Sequence, residues 1–377
     1  MTGTRRTAVA ITLLLGLACS KPQAQDAAIA IGEYSSMTGT TATFGQSTDQ
    51  GIRLAVDEIN ASGGVLGRRL AVFLEDDQSR PEEAATAATK LVNQKHVVAM
   101  LGEASSSRSL AAAPICQANR VPMVSPSSTN PRVTEVGDYI FRVCFIDSFA
   151  GAVMARFAAG GLKLTRVALL VDIRNDYSIG LATYFREQFK KLGGQILAEQ
   201  SYSEGDSDFH AQLTQLKAVN PEAIYVPGYY TEVGTIARQA RELGIKTPFL
   251  GGDGWDSPKL WEIGGEALNG SYFANHYSVD DPNPAVQRFV GDYRARYKTV
   301  PDALAALGYD AARILADAMR RAGSTAGEKV RDALAATKDF PGVTGKITLN
   351  ADRNPIKPAV MLRIENGRFV YVETLNP

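Results

Sequence analysis

Two short segments of the sequence carry polar side chains that could bind the charged groups of a small molecule. Ser105, Ser106 and Ser107 stand between a predicted strand and a predicted helix. The free N–H groups and the positive dipole end of a helix N-terminus favour binding of a carboxylate there. Asp253 lies between glycines after another predicted strand, where open α/β sheets bind their ligands. The structural alternatives are a helix cap for the serines and a turn residue for Asp253.

The sequence lacks the patterns that catalysis, metal binding or nucleic-acid binding would require. Serine clusters and the pair Asp76 and Asp77 could suggest hydrolysis, but there is no Gly-x-Ser-x-Gly elbow, no Gly-rich phosphate loop and no histidine beside a candidate nucleophile. The three histidines are scattered, without HExxH or CxxC spacing. Lys plus Arg equals Asp plus Glu, at 40 each, so charge does not favour nucleic acid or an anionic membrane. We therefore expect a protein that is not an enzyme and holds neither metal nor cofactor.

The N-terminal residues have the organisation of an export signal. Arg5 and Arg6 precede an apolar run over 7–18, which has the length of a secretory signal and is too short to span a bilayer. The small residues before Cys19 resemble a bacterial lipobox, in which the cysteine becomes the lipidated first residue. Cleavage nearby without a lipid is the alternative. We assign 1–25 to a signal peptide and tether, and expect a periplasmic or cell-surface protein that is lipid-anchored at Cys19.

Length and composition suggest two ordinary globular domains. About 350 residues follow the N-terminal segment, which is more than one domain usually contains. Apolar residues make up 45% of the chain and charged residues 21%, as in typical globular proteins. Cys116 and Cys144 are the other two cysteines. In an oxidising compartment they could form a disulfide, and two buried free thiols are the alternative.

From residue 28 onward, strand-like runs alternate with segments of helical periodicity. Strands are predicted over 28–33, 69–75, 97–101, 121–125, 167–171, 196–199, 223–226 and 248–250, and helices over 51–59, 81–94, 105–119, 177–192, 209–218 and 233–243. This alternation implies α/β architecture with parallel sheets covered by helices. Because the rhythm restarts near 167, it predicts two doubly wound, Rossmann-like lobes. The tail breaks the rhythm, with helices over 285–297, 303–321 and 327–337 and then strands over 345–349, 359–364 and 369–372.

The order and spacing of several motifs resemble the leucine/isoleucine/valine-binding family of periplasmic receptors for ABC transporters. The resemblance runs over nearly the whole chain after the export signal. Its signposts are SMTG at 36–39 with FG at 44–45, AVDEINASGGVLG at 55–67, DD at 76–77, LG at 101–102, SSS at 105–107, VSPSSTNP at 124–131, FRV at 141–143, Tyr177, GY at 228–229 and GGDG at 251–254.

This resemblance implies two lobes joined by three crossings, with the ligand in the cleft between them. We expect 26–147 plus 276–353 to form the N-terminal lobe and 148–275 plus 354–377 the C-terminal lobe. The implied function is capture of a small amino acid, branched-chain or otherwise aliphatic, and its delivery to the permease subunits of an ABC transporter. We expect a monomer that touches a membrane only through its lipid. The alternatives are another small carboxylate such as an aromatic acid, an amide, or the ligand-sensing domain of a receptor.

The resemblance also assigns roles to the polar segments. An amino acid is a zwitterion, and both of its charges need partners when it is buried. Ser106, with Ser105 and Ser107 beside it, matches the family serine that contacts the ligand carboxylate. Asp253 matches the acidic position that pairs with the ammonium, which is usually glutamate in the family.

Further side chains complete the site that the resemblance implies. Ser127 and Thr129 match positions that contribute a backbone carbonyl and a hydroxyl, and their structural alternative is a turn-forming loop. Phe44 matches a tyrosine of the family, while Tyr177 and Tyr229 match tyrosines of the cleft. Packing in a core is the structural alternative for each aromatic side chain. Adjacent aromatic candidates that the resemblance does not cover are Tyr230 and Trp255.

Overall fold

The computed structural model describes residues 2–3 and 27–377, so Cys19 and most of the predicted signal and tether lie outside the described residues. The first series of elements comprises β1 (Ile29–Ser35), α1 (Ala42–Ala61), β2 (Leu70–Asp76), α2 (Pro81–Asn93), β3 (Ala99–Leu101), α3 (Ser106–Ala118), β4 (Met123–Ser125), α4 (Arg132–Glu135) and β5 (Ile140–Arg142). The second comprises α5 (Asp147–Arg156), β6 (Arg166–Asp172), α6 (Asp176–Lys191), β7 (Gln195–Tyr202), α7 (His210–Ala218), β8 (Ala223–Tyr225), α8 (Tyr230–Glu242), β9 (Phe249–Gly251), α9 (Pro258–Gly264) and β10 (Tyr272–Asn275). The tail comprises α10 (Pro284–Tyr297), α11 (Ala303–Ala322), α12 (Gly327–Ala335), β11 (Phe340–Gly342), β12 (Gly345–Ile347), β13 (Ala359–Glu365) and β14 (Arg368–Leu375).

These elements form two sheets with the doubly wound order that the alternation predicted. The first sheet has the order β2-β1-β3-β4-β5, and all of its neighbouring strands are parallel. The second has the order β7-β6-β8-β9-β10 in parallel, and β13 and β14 extend it in antiparallel. The α/β class and the two lobes are therefore confirmed. In both sheets the strand order reverses beside the first strand of the series, which opens a crevice at the carboxyl ends of the strands.

The chain crosses between the two sheets where the predicted lobes meet. Helix α11 packs along α1 of the first lobe, so the tail returns to that lobe before β13 and β14 join the second sheet. Buried apolar residues form one cluster around the second sheet and two around the first. We propose the crossings near 147, 276 and 354 as the lobe boundaries, because each separates elements that belong to different sheets.

Helix α1 shows how local sequence sets these elements. Its predicted apolar face is buried, including Ile52 and Ile59. The helix begins at Ala42, nine residues before the predicted start at Gly51. The added turns include Gly45, where a Cβ would lie 2.1 Å from the carbonyl oxygen of Ser36. Because only glycine allows this approach, the start of α1 can lie directly against the loop that follows β1.

The two cysteines among the described residues are free thiols. Cys116 lies in the apolar cluster beneath α2 and α3, whereas Cys144 lies in the cluster around α11. Of the two arrangements that the sequence left open, the structure has the two buried free thiols and not the disulfide. Burial raises the pKa of each thiol to about 12, which keeps both protonated and unreactive.

Two further features of the described part of the chain bear on function. None of its helices combines the length and apolar character needed to span a membrane. In residues 2–3 and 27–377, no cluster of three or more His, Cys, Asp or Glu side chains is arranged to hold a metal ion.

Candidate functional site

Loops at the carboxyl ends of strands from both sheets enclose a cavity between the lobes. Its lining consists of Phe44, Ala104, Ser127, Tyr177, Tyr229, Asp253, Gly254 and Leu304. Five of the predicted site residues therefore lie together around one space. The strand order explains the convergence, because β3, β4, β6, β8 and β9 all end at this crevice.

Asp253 is the acidic group of the cavity. It begins a single 3₁₀ turn, Asp253–Trp255, directly after β9 and is almost completely buried. Its Oδ1 accepts a hydrogen bond of 3.1 Å from the hydroxyl of Tyr177. Its Oδ2 lies 3.1 Å from Nε2 of His276. A carboxylate has about four acceptor positions, so capacity remains for a donor from a bound molecule.

Tyr177 and Tyr229 form a stacked aromatic wall beside Asp253. Their ring centroids are 5.2 Å apart, and the planes differ by 14°. The Tyr177 hydroxyl also accepts from the backbone N–H of Gly254 at 2.8 Å, which ties the wall to the turn. A Cβ at Gly254 would lie 2.8 Å from the Tyr229 ring. The glycines on either side of Asp253 therefore allow the two tyrosine rings to approach the turn Asp253–Trp255, called the acidic turn below.

Phe44 closes the cavity from the first lobe. Its ring meets Tyr229 edge to face at a centroid distance of 5.4 Å and Tyr230 at 5.0 Å. Tyr230 accepts a hydrogen bond from the backbone N–H of Thr43 at 3.3 Å, so it also joins the lobes. Trp255 is fully buried, and its indole N–H donates to the carbonyl of Val226 at 3.1 Å. The structure thus places Trp255 in the core of the second lobe, beneath the acidic turn.

The three serines before α3 have different surroundings. Ser105 occupies the N-cap position without a capping hydrogen bond from its side chain. The hydroxyl of Ser106 accepts from the backbone N–H of Asn130 at 3.1 Å. Ser107 points across the cleft: its Oγ donates to Oδ2 of Asp176 at 2.9 Å and accepts from the N–H of Asp176 at 3.0 Å. Ser107 therefore contacts the opposite lobe.

Several buried hydroxyls near the cavity have no hydrogen-bond partner among the described residues. They are those of Ser105, Thr129 and Tyr229. Ser105 and Tyr229 face each other, and Thr129 faces the buried carboxyl of Asp147. Since buried polar groups are nearly always hydrogen-bonded, each hydroxyl either turns to this neighbour or binds a polar ligand. Ser127 lies on the cavity wall, and the carbonyl of Thr129 accepts from the N–H of Asp147 at 2.9 Å.

A buried ion pair supports the loop between β3 and α3. Arg108 is almost fully buried, and its Nε lies 3.1 Å from Oε2 of Glu103. Glu103 also accepts from the backbone N–H and the hydroxyl of Ser36, at 3.2 and 2.8 Å, and from the backbone N–H of Ser105. Burial together with Glu103 raises the pKa of Asp77 to about 8. This network fixes the positions of Ala104 and Ser105 beside the cavity.

Sequence reasoning missed four residues of the site. Ala104, Gly254 and Leu304 line the cavity, and His276 contacts Asp253. The local sequence contains no signal for His276, because the strand that it follows, β10, was not among the predicted strands. The approach of Leu304 from the start of α11 depends on the return of the tail and has no local signal.

Comparison with known proteins places these features in a family. Residues 28–368 match the family model described as periplasmic binding protein. The Leu/Ile/Val-binding protein BraC3 of Rhizobium johnstonii is 31% identical over 348 residues, which cover 92% of this chain and 94% of the relative. The leucine-specific-binding protein of Salmonella typhimurium is 32% identical over 324 residues, covering 85% and 86%.

Solved structures show the same architecture. The leucine binding protein LivK of Thermotoga maritima has a TM-score of 0.89 and 42% identity, and the match covers 93% of this chain and 99% of that one. The substrate binding protein LivJ of Streptococcus pneumoniae, in complex with isoleucine, has a TM-score of 0.89 and 38% identity, covering 93% and 100%. A solute binding protein of R. palustris in complex with benzoate has a TM-score of 0.85, 22% identity and coverage of 93% and 97%; this likeness concerns the fold alone.

Proposed function

The chain belongs to the periplasmic binding protein family, and on this premise we propose that it captures a small aliphatic amino acid and delivers it to an ABC transporter. Family membership confirms that the chain is a binding protein with a place outside the cytoplasm, and that it is not an enzyme. The amino acid and the transporter step are the proposal. Relatives named for binding leucine, isoleucine and valine support them.

The observation that carries the proposal is the distribution of polar groups around the cavity. Asp253 supplies one carboxylate from the second lobe, while Ser127 lines the cavity from the first lobe. The hydroxyls of Ser105 and Thr129 lie on the same first-lobe segments as the lining residues Ala104 and Ser127. A zwitterion needs an anionic partner for its ammonium and donors for its carboxylate. The N-terminus of α3 adds N–H groups on the side of Ser105. The two kinds of charge on an amino acid thus have separate partners.

The remaining walls favour an aliphatic side chain. Phe44, Ala104 and Leu304 present apolar surface to the cavity. Within the described residues, Asp253 is the only side chain of the lining that is an acid or a base of the Asp, Glu, Lys, Arg or His type, so a second charge on the ligand would be buried without a partner.

A thermal-shift screen across the twenty amino acids tests this proposal, with aromatic carboxylates and aliphatic amides as competing classes. A ligand that binds only the native state at a hundredfold excess over its dissociation constant stabilises it by about 2.7 kcal/mol. We expect leucine, isoleucine or valine to give the largest increase in melting temperature, and aspartate and lysine none. If aromatic carboxylates stabilise the protein and amino acids do not, the amino-acid assignment is wrong.

We also propose that the protein is exported, loses residues 1–18, carries lipid on Cys19 and acts as a monomer beside its permease. The motivation is the n-region, apolar run and lipobox-like sequence of the N-terminus. Mass spectrometry of protein from the membrane fraction should find Cys19 as the first residue with the mass of a lipid. A mature chain that begins beyond Cys19 would exclude the lipid and leave export intact.

A further inference from the structure

His276 connects the acidic group of the cavity to the crossings between the lobes. It directly follows β10, on the segment that leads from the second sheet to the helices of the first lobe. Its ring is almost fully buried and stacks on Phe145, with centroids 3.8 Å apart and planes inclined by 26°. Phe145 lies on the first crossing, between β5 and α5. The stack therefore joins two crossing segments, and from that position the ring contacts Asp253.

The contact with Asp253 defines the tautomer of the ring. Nε2 of His276 lies 3.1 Å from Oδ2 of Asp253, and an ionised carboxylate can only accept. Nε2 therefore carries a hydrogen. Nδ1 is buried and has no partner among the described residues, which suits the neutral ring with a single proton. Asp253 is thus held from two sides, by Tyr177 on Oδ1 and by His276 on Oδ2.

Few charged groups surround the ring. From the acidic turn it faces Asp253, and Asp256 of the same turn is bound by the side chain of the neighbouring Asn275 at 2.8 Å. From the third crossing it faces Lys357, whose Nζ donates to the carbonyl of Val143 at 3.1 Å. Burial, aided by Lys357, lowers the pKa of His276 against the opposing effect of Asp253. A neutral ring at pH 7 follows from these surroundings.

We propose that His276 is a positioning residue for ligand binding, which orients Asp253 when neutral and competes with the ligand's ammonium for Asp253 when protonated. The inference rests on the proposed function, since it assumes an ammonium beside Asp253. A neutral imidazole donates one hydrogen bond and leaves the charge of Asp253 for the ligand. An imidazolium would neutralise Asp253 and place a second cation beside the ammonium. Amino-acid affinity should therefore fall in acid, and ligand binding should in turn make the ring harder to protonate.

The test compares L-leucine binding by calorimetry between pH 8 and pH 4.5 for the wild type, His276→Gln and His276→Phe. The amide N–H of glutamine can still donate towards Asp253 but cannot be protonated. We expect it to bind less than tenfold more weakly than the wild type at pH 8. Phenylalanine retains the stack but loses the donor, and because the lost hydrogen bond is to a charged group we expect roughly tenfold to a hundredfold weaker binding at pH 8.

The pH profile separates a positioning role from a packing role. Below pH 6.5, wild-type affinity should fall by at least threefold more than the affinity of His276→Gln does. Asp172, Glu232 and Asp302 also titrate near pH 6 to 7, since burial raises the pKa of each to about that range. These carboxyls remain in every variant, so only the difference between the pH profiles of the wild type and His276→Gln is caused by His276. His210→Gln, at an exposed histidine paired with Asp208 on the surface of the second lobe, should keep the wild-type profile.

Each outcome has one meaning. Identical profiles for the wild type and His276→Gln, or wild-type affinity at pH 8 in His276→Phe, would overturn the inference and leave the proposed function standing. If the wild type binds neither L-leucine nor any other aliphatic amino acid at pH 8, the proposed function fails and this inference fails with it. Circular dichroism at each pH confirms that the variants are folded. The C2–H resonances of the three histidines provide a second reading, because only that of His276 should titrate at lower pH when leucine is bound.

Discussion

At the scale of single residues, Asp253 should determine affinity more than any serine of the site. Its carboxylate is the cavity's acidic group and is already oriented by Tyr177. We expect Asp253→Ala to weaken amino-acid binding by roughly thirtyfold to several thousandfold, because leaving one charge of a buried pair alone costs about 2–5 kcal/mol. Titration calorimetry measures the effect, and circular dichroism checks that the variant folds.

Ser106→Ala is the matched comparison for Asp253→Ala. In the wild type, the hydroxyl of Ser106 already accepts from the N–H of Asn130. In the variant, the helix N–H groups and the hydroxyl of Ser105 are still present for the ligand carboxylate. The loss of a neutral hydrogen bond corresponds to about 0.5–1.5 kcal/mol. We therefore expect a far smaller loss of affinity than for Asp253→Ala. Binding of Asp253→Ala within threefold of the wild type would place the ammonium partner elsewhere.

At the scale of elements, the start of α6 forms a contact between the lobes. Asp176, its first residue, bonds with Ser107 and lies 2.9 Å from Arg132. The side chain of Asn130 donates to its carbonyl at 2.7 Å. All three partners belong to the first lobe as we delimit it, so these bonds form only where the lobes meet. The contact therefore stabilises the closed arrangement without lining the cavity.

Removal of this contact should weaken the binding of every ligand by the same factor. Asp176→Ala loses an ion pair in which the Arg132 side chain is 66% exposed, and such pairs contribute about 0.2–1 kcal/mol. Since apparent affinity scales with the population of the closed state, we expect about twofold to fivefold weaker binding. Calorimetry with leucine and with valine should give the same factor for both.

Asp138→Ala is the control for Asp176→Ala. Asp138 pairs with Arg331 at 3.0 Å within the first lobe, so its removal changes a comparable surface pair away from the cleft. Its ligand affinities should equal those of the wild type. A different factor for leucine and valine in Asp176→Ala would show that Asp176 affects the ligand itself and not only lobe closure.

The elements also show what the sequence could and could not predict. Long amphipathic segments such as α2 and α11 were predicted to within one residue at each end, because one polar face makes their period visible. Strands β5 and β10 were not predicted, although β3 and β9, with three residues each, were, so strand length does not account for the difference. Helix α5 was missed because residues on several of its sides are buried, which leaves no regular polar face.

Some residues of the candidate site could also be predicted from the sequence, and others could not. Asp253 and Tyr177 follow predicted strands, so the rule for doubly wound sheets locates them at the cleft. Leu304 and His276 reach the same cavity from the tail and from a crossing. Their positions depend on how distant segments pack, and the local sequence contains no signal for that. The sequence therefore predicted the site residues that follow strands, and it did not predict those that come from the crossings and the tail.

At the scale of the whole molecule, buried carboxyl groups make stability depend on pH. Asp172 and Glu232 are almost fully buried around the loop that follows β7. They accept backbone hydrogen bonds from that loop, Glu232 from Gly205 at 3.0 Å and Asp172 from Glu204 at 3.2 Å. Burial, together with the nearby carboxylate of Glu204, raises the pKa of Asp172 to about 6 and that of Glu232 to about 7. Both groups therefore bind protons more tightly in the folded chain than in the unfolded one.

The sign of the resulting pH dependence follows from this difference. Raised carboxyl pKa values stabilise the folded state at low pH, and that stabilisation is lost as pH rises through 6 and 7. We expect these two groups to make the ligand-free protein about 1–3 kcal/mol more stable at pH 5.5 than at pH 8, by urea unfolding followed through the fluorescence of Trp255 and Trp261, which both lie in the second lobe. Replacing the two carboxyls by amides, in Asp172→Asn with Glu232→Gln, retains the acceptors and removes the protons, so the pH dependence of stability should shrink by that amount. Asp77 and Asp302, whose pKa values burial raises to about 8 and about 7, keep their own contribution in this variant. Equal stability of the wild type at both pH values, or an undiminished difference in the double variant, would contradict the assignment of this pH dependence to the two carboxyl groups.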